Sequence, residues 1–191
     1  MERIMIKNKK DLKYYLEEDR KAYHKPEKTT FQEKIKGLFF KDRFYDYMKT
    51  LRKLEYCLNT KKIRKYYYVH KLGKYKIKTG IDLDPNVAGP GCHIVHGKCV
   101  INPLSKIGYN CTIMSDVTIG IANIEDKRTK APKIGSNCVI GSGARILGDI
   151  VIADNVTIGA NAVVCKSITQ EGAIVVGVPA RVIKIKEDNK E

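Results

Sequence analysis

The chain has 191 residues, of which 43% are hydrophobic and 30% are charged, and its formal net charge is +15. These proportions are typical of a soluble globular protein, and no apolar run approaches the ~20 residues that span a bilayer. The N-terminal sequence also lacks the apolar core of a secretory signal, so we expect a cytoplasmic protein.

The positive charge lies almost entirely in the first part of the chain. Residues 1–80 hold 24 Lys and Arg against 10 Asp and Glu, whereas residues 81–191 hold 12 against 11. This difference predicts two parts with different chemistry that meet near Gly80.

The first part is predicted to be helical. An apolar face along residues 11–23 indicates a first helix, which Pro26 ends. Thr30 and Glu33 have the spacing of a capping box that opens a second helix. The basic and aromatic segment 61–78 is either a third helix or a connector.

The second part of the sequence has a period of six residues. Every sixth residue is branched and apolar, and nine of these ten are isoleucine: Ile101, Ile107, Ile113, Ile119, Ile134, Ile140, Ile146, Ile152, Ile158 and Val164. The fourth residue after each is mostly small or apolar: Ser105, Cys111, Val117, Cys138, Ala144, Ile150, Val156 and Ala162. This pattern predicts a parallel β-helix built from hexapeptide repeats, in which each coil buries its apolar side against the next. A parallel sheet with helical crossovers needs longer connections than this sequence provides.

Two breaks in the period have structural meaning. Ile119 and Ile134 are 15 residues apart, so residues 121–132 are expected to leave the coil as a loop. The frame slips again before Ile101, which predicts an irregular first coil. The predicted organisation is a basic α-helical N-terminal domain at 1–80, a β-helix domain at 81–185 and a polar tail at 186–191.

The stretch GPGCHIVHGKCVINP holds two cysteines and two histidines within eight residues. Zinc requires about four convergent ligands. The six-residue period instead points Cys92 into the coil, as it does Cys111 and Cys138, and Cys99 at the frame slip is expected to be similar. A buried free cysteine acts as a small hydrophobic residue. We therefore expect neither a metal site nor a disulfide here.

The hexapeptide run, the loop after Ile119, the segment PKIGSNCVIGSGARILGDI and the closing GVPAR together resemble the serine acetyltransferases. The likeness is closest to the short forms found in capsular polysaccharide gene clusters. It implies a left-handed parallel β-helix with an α-helical N-terminal domain. It also implies acetyl transfer from acetyl-CoA to a hydroxyl of a small acceptor, with L-serine as the family default. Family members are trimers, so active sites between subunits are expected.

The resemblance assigns His96 as the general base and Asp82 as the carboxylate that orients it, with Asp84 as the alternative. An alcohol is a poor nucleophile, and a neutral imidazole can take its proton as it attacks the thioester. A carboxylate on the other ring nitrogen fixes the tautomer. His93 is expected to be structural or to face solvent. A backbone N–H near Gly120 would stabilise the oxyanion.

The resemblance also implies a groove for acetyl-CoA between two prisms. Ser142 and Ala160 occupy small positions suited to the pantetheine arm. Lys166, Arg181 and Lys184 are the basic residues expected to meet the phosphates of CoA.

The acceptor side departs from the family. Serine acetyltransferases carry Asp just before the catalytic His, where this chain has Val95. They carry Arg-His before Pro-Lys-Ile, where this chain has Lys130 and Ala131. Val95 and Ala131 cannot form charge-assisted hydrogen bonds with an amino acid. A sugar hydroxyl, as in surface polysaccharide biosynthesis, therefore remains an alternative acceptor.

The role of the basic residues in 1–80 stays open at this level. They form either a solvated helical surface or a contact with an anionic membrane surface or an acidic polysaccharide. Nucleic acid is not expected, because no recognised binding module is present. A non-catalytic scaffold that uses these helices is a further alternative to an enzyme.

Overall fold

The structure, a computed structural model, describes residues 5–27, 42–122 and 130–186. Within these ranges three helices precede a series of short strands. The helices are α1 (Lys9–Ala22), α2 (Arg43–Asn59) and α3 (Lys65–Thr79). The strands are β1 (Ile81–Asp82), β2 (His93–Ile94), β3 (Cys99–Ile101), β4 (Lys106–Ile107), β5 (Thr112–Ile113), β6 (Thr118–Gly120), β7 (Lys133–Ile134), β8 (Val139–Ile140), β9 (Arg145–Leu147), β10 (Val151–Ile152), β11 (Thr157–Ile158), β12 (Val163–Val164), β13 (Ala173–Val176) and β14 (Arg181–Ile185).

Local signals explain where the helices begin and end. Asn8 caps α1 by accepting hydrogen bonds from the backbone of its first turn, and Asp42 caps α2 in the same way. Gly80, with a φ of 68°, ends α3 in the left-handed conformation that glycine adopts without strain. Of the two alternatives for segment 61–78, a helix or a connector, the structure shows a helix from Lys65 onward. The predicted capping box at Thr30 and Glu33 lies outside the described residues.

The strands stack into three parallel sheets, which are the three faces of a β-helix. Their orders are β1-β3-β6-β9-β12, β4-β7-β10 and β2-β5-β8-β11-β13-β14, and only β14 pairs antiparallel. All ten residues of the isoleucine column are buried, and so are the eight small or apolar residues four positions later. The predicted hexapeptide β-helix is therefore confirmed. No described helix has the length and apolar composition needed to cross a bilayer.

The pairing register of the strands locates the predicted loop. Val100 pairs with Thr118 one regular coil later, whereas Ile107 pairs with Ile134. The coil that includes segment 121–132 is therefore one and a half times as long as a regular coil. Residues 123–129 of the predicted loop lie outside the described part of the chain.

The irregular first coil is also confirmed. Leu83 and Ala88 both point inward although they are five residues apart, and Ile94 and Ile101 both point inward although they are seven apart. One residue is thus missing from one face and one is added at the next corner. The added residue lies in the segment between Ile94 and Ile101, which contains His96.

The cysteines of this coil fill its interior, as predicted. Cys92 and Cys99 are fully buried free thiols, and so are Cys111 and Cys138. Desolvation raises the pKa of both Cys92 and Cys99 to about 12. Their thiols therefore stay protonated and serve as packing groups.

Side chains from the helices close the open edge of the first coil. The hydroxyl of Tyr23 accepts a hydrogen bond from the N–H of Ile94 at 3.0 Å and donates to its carbonyl oxygen at 3.3 Å. The hydroxyl of Tyr47 does the same for Leu83, at 3.2 Å and 2.7 Å. Each tyrosine thus takes the place that a preceding strand would occupy in the ladder of hydrogen bonds.

A buried ion cluster centred on Arg52 completes this connection. The guanidinium donates to Asp19 at 2.8 Å, to Glu55 at 3.1 Å, and to the carbonyl oxygens of Ala88 and Gly89 at 2.8 Å and 2.6 Å. Burial by itself would lower the pKa of Arg52, but the two carboxylates raise it well above its usual value. Asp19 and Glu55 in turn accept backbone N–H groups from the first coil. One cluster thus joins α1, α2 and the β-helix.

Replacing Arg52 by Met should cost about 3–5 kcal/mol in the free energy of unfolding, because two buried carboxylates lose their only cation in the cluster. The matched control is Lys21→Met, which removes an exposed ion pair with Glu18 on α1 and should cost less than about 1 kcal/mol. Urea denaturation of the full chain measures both. Equal losses for the two variants would contradict the central role of Arg52.

Candidate active site

The corner that carries His96 packs against the end of α3. Its imidazole is exposed, and the backbone N–H of Lys98 donates to the carbonyl oxygen of Thr79 at 3.1 Å. Gly97 lies so close to the same carbonyl that a Cβ there would overlap it. The extra residue of this corner therefore brings His96 beside the chain segment that leads into β1.

Asp82 lies at the end of that segment, in β1. Its backbone pairs with Val100 in β3, and its side chain is exposed. The two candidate residues thus come from segments that touch through Thr79 and Lys98. Within the described ranges, however, no hydrogen bond joins Asp82 to His96. Catalytic hydrogen bonds often form only in the complex with substrate.

Lys76 holds the acidic residues of this region. Its ammonium contacts the carboxylate of Asp82 at 2.6 Å and that of Asp84 at 2.8 Å. Partial burial by itself would lower the pKa of Lys76, but these two hydrogen bonds raise it. Nothing in the sequence marks this role, because Lys76 is one of many lysines in segment 61–78. The left-handed turn at Gly80 is what folds the end of α3 back towards β1.

His93 faces the helices. Its ring lies 4.5 Å from that of Tyr23 between centroids and is half-buried. Desolvation lowers its pKa, and the nearby His24 lowers it further. The neutral imidazole is thus favoured as a packing group, in agreement with the structural role expected of His93.

The small residues predicted to face acetyl-CoA lie on the outer surface of the prism. Gly120 ends β6, and an added Cβ there would have no atom within 4 Å. Ser142 and Ala160 occupy corners of successive coils, where the N–H of Asn161 donates to the carbonyl of Ser142. The space beside Gly120 is therefore open.

The basic residues predicted for the phosphates are all exposed. Lys166 follows β12, and Arg181 and Lys184 lie on β14. On the acceptor side, Ala131 is buried, Val95 is half-buried, and Lys130 pairs with Asp149 at 3.1 Å.

The described parts of the chain contain no group of three or more His, Cys, Asp or Glu placed to hold a metal ion.

Known proteins resemble the β-helix part of this sequence. Residues 131–166 match the family model described as bacterial transferase hexapeptide (six repeats). A serine acetyltransferase of Staphylococcus epidermidis is 41% identical over 108 residues, which cover 56% of this chain and 50% of that protein. The chain thus spans about half the length of the curated relatives it matches.

Solved structures extend the likeness to the helices. A serine O-acetyltransferase from Brucella melitensis has a TM-score of 0.73 at 24% identity and covers 94% of this chain and 70% of its own. A serine acetyltransferase in complex with CoA has a TM-score of 0.70 at 24% identity, covering 91% and 70%. A helical region followed by a hexapeptide β-helix is therefore the architecture of serine acetyltransferase structures.

Substitution of Gly97 tests the contact that positions His96. Gly97→Ala should destabilise the protein by about 1–3 kcal/mol, because the new methyl group overlaps the Thr79 carbonyl and forces backbone to move. The matched control is Gly73→Ala in α3, where nothing lies within 4 Å and helix propensity should add up to about 1 kcal/mol. Denaturation midpoints that shift alike in both variants would contradict the close approach.

Proposed function

We propose that the protein is an acetyl-CoA-dependent O-acetyltransferase of the serine acetyltransferase kind. The observation that carries this proposal is the 41% identity over 108 residues to a serine acetyltransferase. The fold supports it, and so does the contact between Lys98 and Thr79, which joins the segments that carry His96 and Asp82.

His96 acts as the general base. It takes the proton of the acceptor hydroxyl while the oxygen attacks the carbonyl carbon of the thioester. It then returns that proton to the departing sulfur, so the products are the O-acetyl ester and CoA with a free thiol. Asp82 orients the imidazole and stabilises its protonated form. The carboxylate of Asp82 contacts Lys76 in this structure, so Lys76 must release it before it can reach His96. Asp84 is held by the same lysine and remains the alternative.

Acetyl-CoA lies along the backbone of successive coils. Ser142 and Ala160 leave room for the pantetheine arm, and a backbone N–H near Gly120 stabilises the oxyanion. The exposed side chains of Lys166 and Arg181 meet the phosphates, with Lys184 beside them. A solved serine acetyltransferase with bound CoA supports this choice of co-substrate. The groove forms between neighbouring prisms, so the working unit is a homotrimer in the cytoplasm.

The acceptor is L-serine or a sugar hydroxyl. Serine is the acceptor named for the relatives. The second candidate is favoured by the acceptor side of this chain, where Ala131 is buried and Val95 is half-buried and apolar. Neither can bind the ammonium or carboxylate of an amino acid. A sugar acceptor would place the enzyme in surface polysaccharide biosynthesis, in line with the resemblance to the short forms found in capsular polysaccharide gene clusters.

The activity is tested by thiol release from acetyl-CoA with L-serine, homoserine and a panel of sugars. At least one acceptor should accelerate release. His96→Ala should lower kcat about 10²–10⁴-fold, because the general base is lost. His93→Ala is the matched control and should retain most of the activity.

Two results would count against the proposal. Absence of thiol release with every acceptor would favour the non-catalytic scaffold. Equal losses for the two histidine variants would remove His96 as the base while leaving the activity itself established.

A further inference from the structure

Helix α3 has two different faces. Its inner face packs on the rest of the protein through Tyr68, Leu72, Tyr75 and Thr79.

Its outer face carries Tyr66, His70, Lys74 and Ile77, which follow one another at helical spacing. Tyr66 is 68% exposed and Ile77 is 87% exposed. The other exposed apolar side chains of this segment are Ile63, just before the helix, Tyr67 and Val69. Large apolar side chains thus point away from the protein along the length of α3.

The same segment is strongly basic. Residues 61–78 contain eight Lys and Arg and no Asp or Glu. Lys76 is paired with Asp82 and Asp84, but in the described part of the chain no carboxylate pairs with the other seven. Lys65 and Lys71 lie over the rings of Tyr66 and Tyr67, at 5.2 Å and 5.9 Å from the centroids. Cations and apolar side chains therefore share one surface, which we call the α3 surface.

Charge decides what this surface can contact. A second copy of the same helix would bring like charges together, which disfavours self-association through the α3 surface. An anionic partner is complementary in charge. Protruding isoleucines add nothing to contacts with phosphates in water, whereas they gain free energy when they enter the boundary between lipid headgroups and acyl chains.

We propose that the α3 surface binds an anionic membrane leaflet, with the helix axis parallel to the membrane plane. Ile63, Tyr66 and Ile77 enter the headgroup boundary, and the lysines beside them contact the lipid phosphates. Ile77 points outward while its neighbour Lys76 turns inward to Asp82. The candidate active site therefore lies at the edge of the membrane-facing surface. An acceptor held at the membrane would reach it without leaving the lipid.

Co-sedimentation of the full chain with vesicles tests the electrostatic part. Binding is expected to phosphatidylcholine vesicles that contain about 30% phosphatidylserine, and not to phosphatidylcholine alone. Lys74→Glu with Lys78→Glu should weaken binding at least about tenfold, because each lysine near the surface contributes to the attraction. The matched control is Lys130→Glu with Lys133→Glu, which makes the same change of charge on the β-helix and should leave binding almost unchanged.

Fluorescence tests the orientation. The chain contains no tryptophan, so Tyr66→Trp provides a single probe on the α3 surface. Its emission should shift to the blue on anionic vesicles and should be quenched by brominated lipids. Tyr109→Trp, at an exposed position of the β-helix, is the matched control and should show neither effect.

Three outcomes would overturn the proposal. The first is no binding to anionic vesicles at low salt by protein whose circular dichroism is native. The second is an equal effect of the two lysine pairs, or of the two tryptophan probes. The third is release from the vesicles by a single-stranded RNA or an acidic polysaccharide that binds the protein at a lower concentration than the vesicles do. That result would assign the α3 surface to the polymer.

Discussion

The backbone groups at the open edge of the first coil are the constraint on which the rest of the structure depends. Every later coil pairs with the one before it, but the first has no predecessor, and unpaired N–H and C=O groups are costly when buried. Here the helices supply the partners. Two tyrosine hydroxyls serve Leu83 and Ile94, and Arg52 serves two further carbonyl groups. The helices and the β-helix therefore stabilise each other as one unit.

The same edge carries the candidate active site. Leu83, which Tyr47 holds, lies between Asp82 and Asp84, and Ile94, which Tyr23 holds, lies two residues before His96. Buried and hydrogen-bonded neighbours fix the backbone of the exposed side chains beside them. The irregular corner then brings His96 to the end of α3. The positions of Asp82 and His96 thus depend on the helices as well as on the repeats.

The repeats were predictable from the sequence because a period of six residues has a single structural solution. Each inward isoleucine, and each small residue such as Cys111 or Ala144, is buried as its place in the period requires. The frame slip before Ile101 likewise indicated where the coil is irregular.

The ion cluster was not predictable in the same way. Asp19, Arg52 and Glu55 lie on basic helices where most charged residues are solvated, and only tertiary contact shows that all three are buried. The contacts of Lys76 with Asp82 and Asp84 were unpredictable for the same reason. The distance from His96 to Asp82 depends on one corner and one turn, which periodicity does not specify.

Amide hydrogen exchange at the open edge tests this account most directly. The N–H groups of Leu83, Asn86, Gly91 and Ile94 all donate to side chains of the helices. If the helices close the edge, these four amides should exchange as slowly as those of Thr112 and Val139, which donate to backbone carbonyl groups within the β-helix. Exchange of the four at rates near those of an unfolded chain, with Thr112 and Val139 still protected, would contradict it.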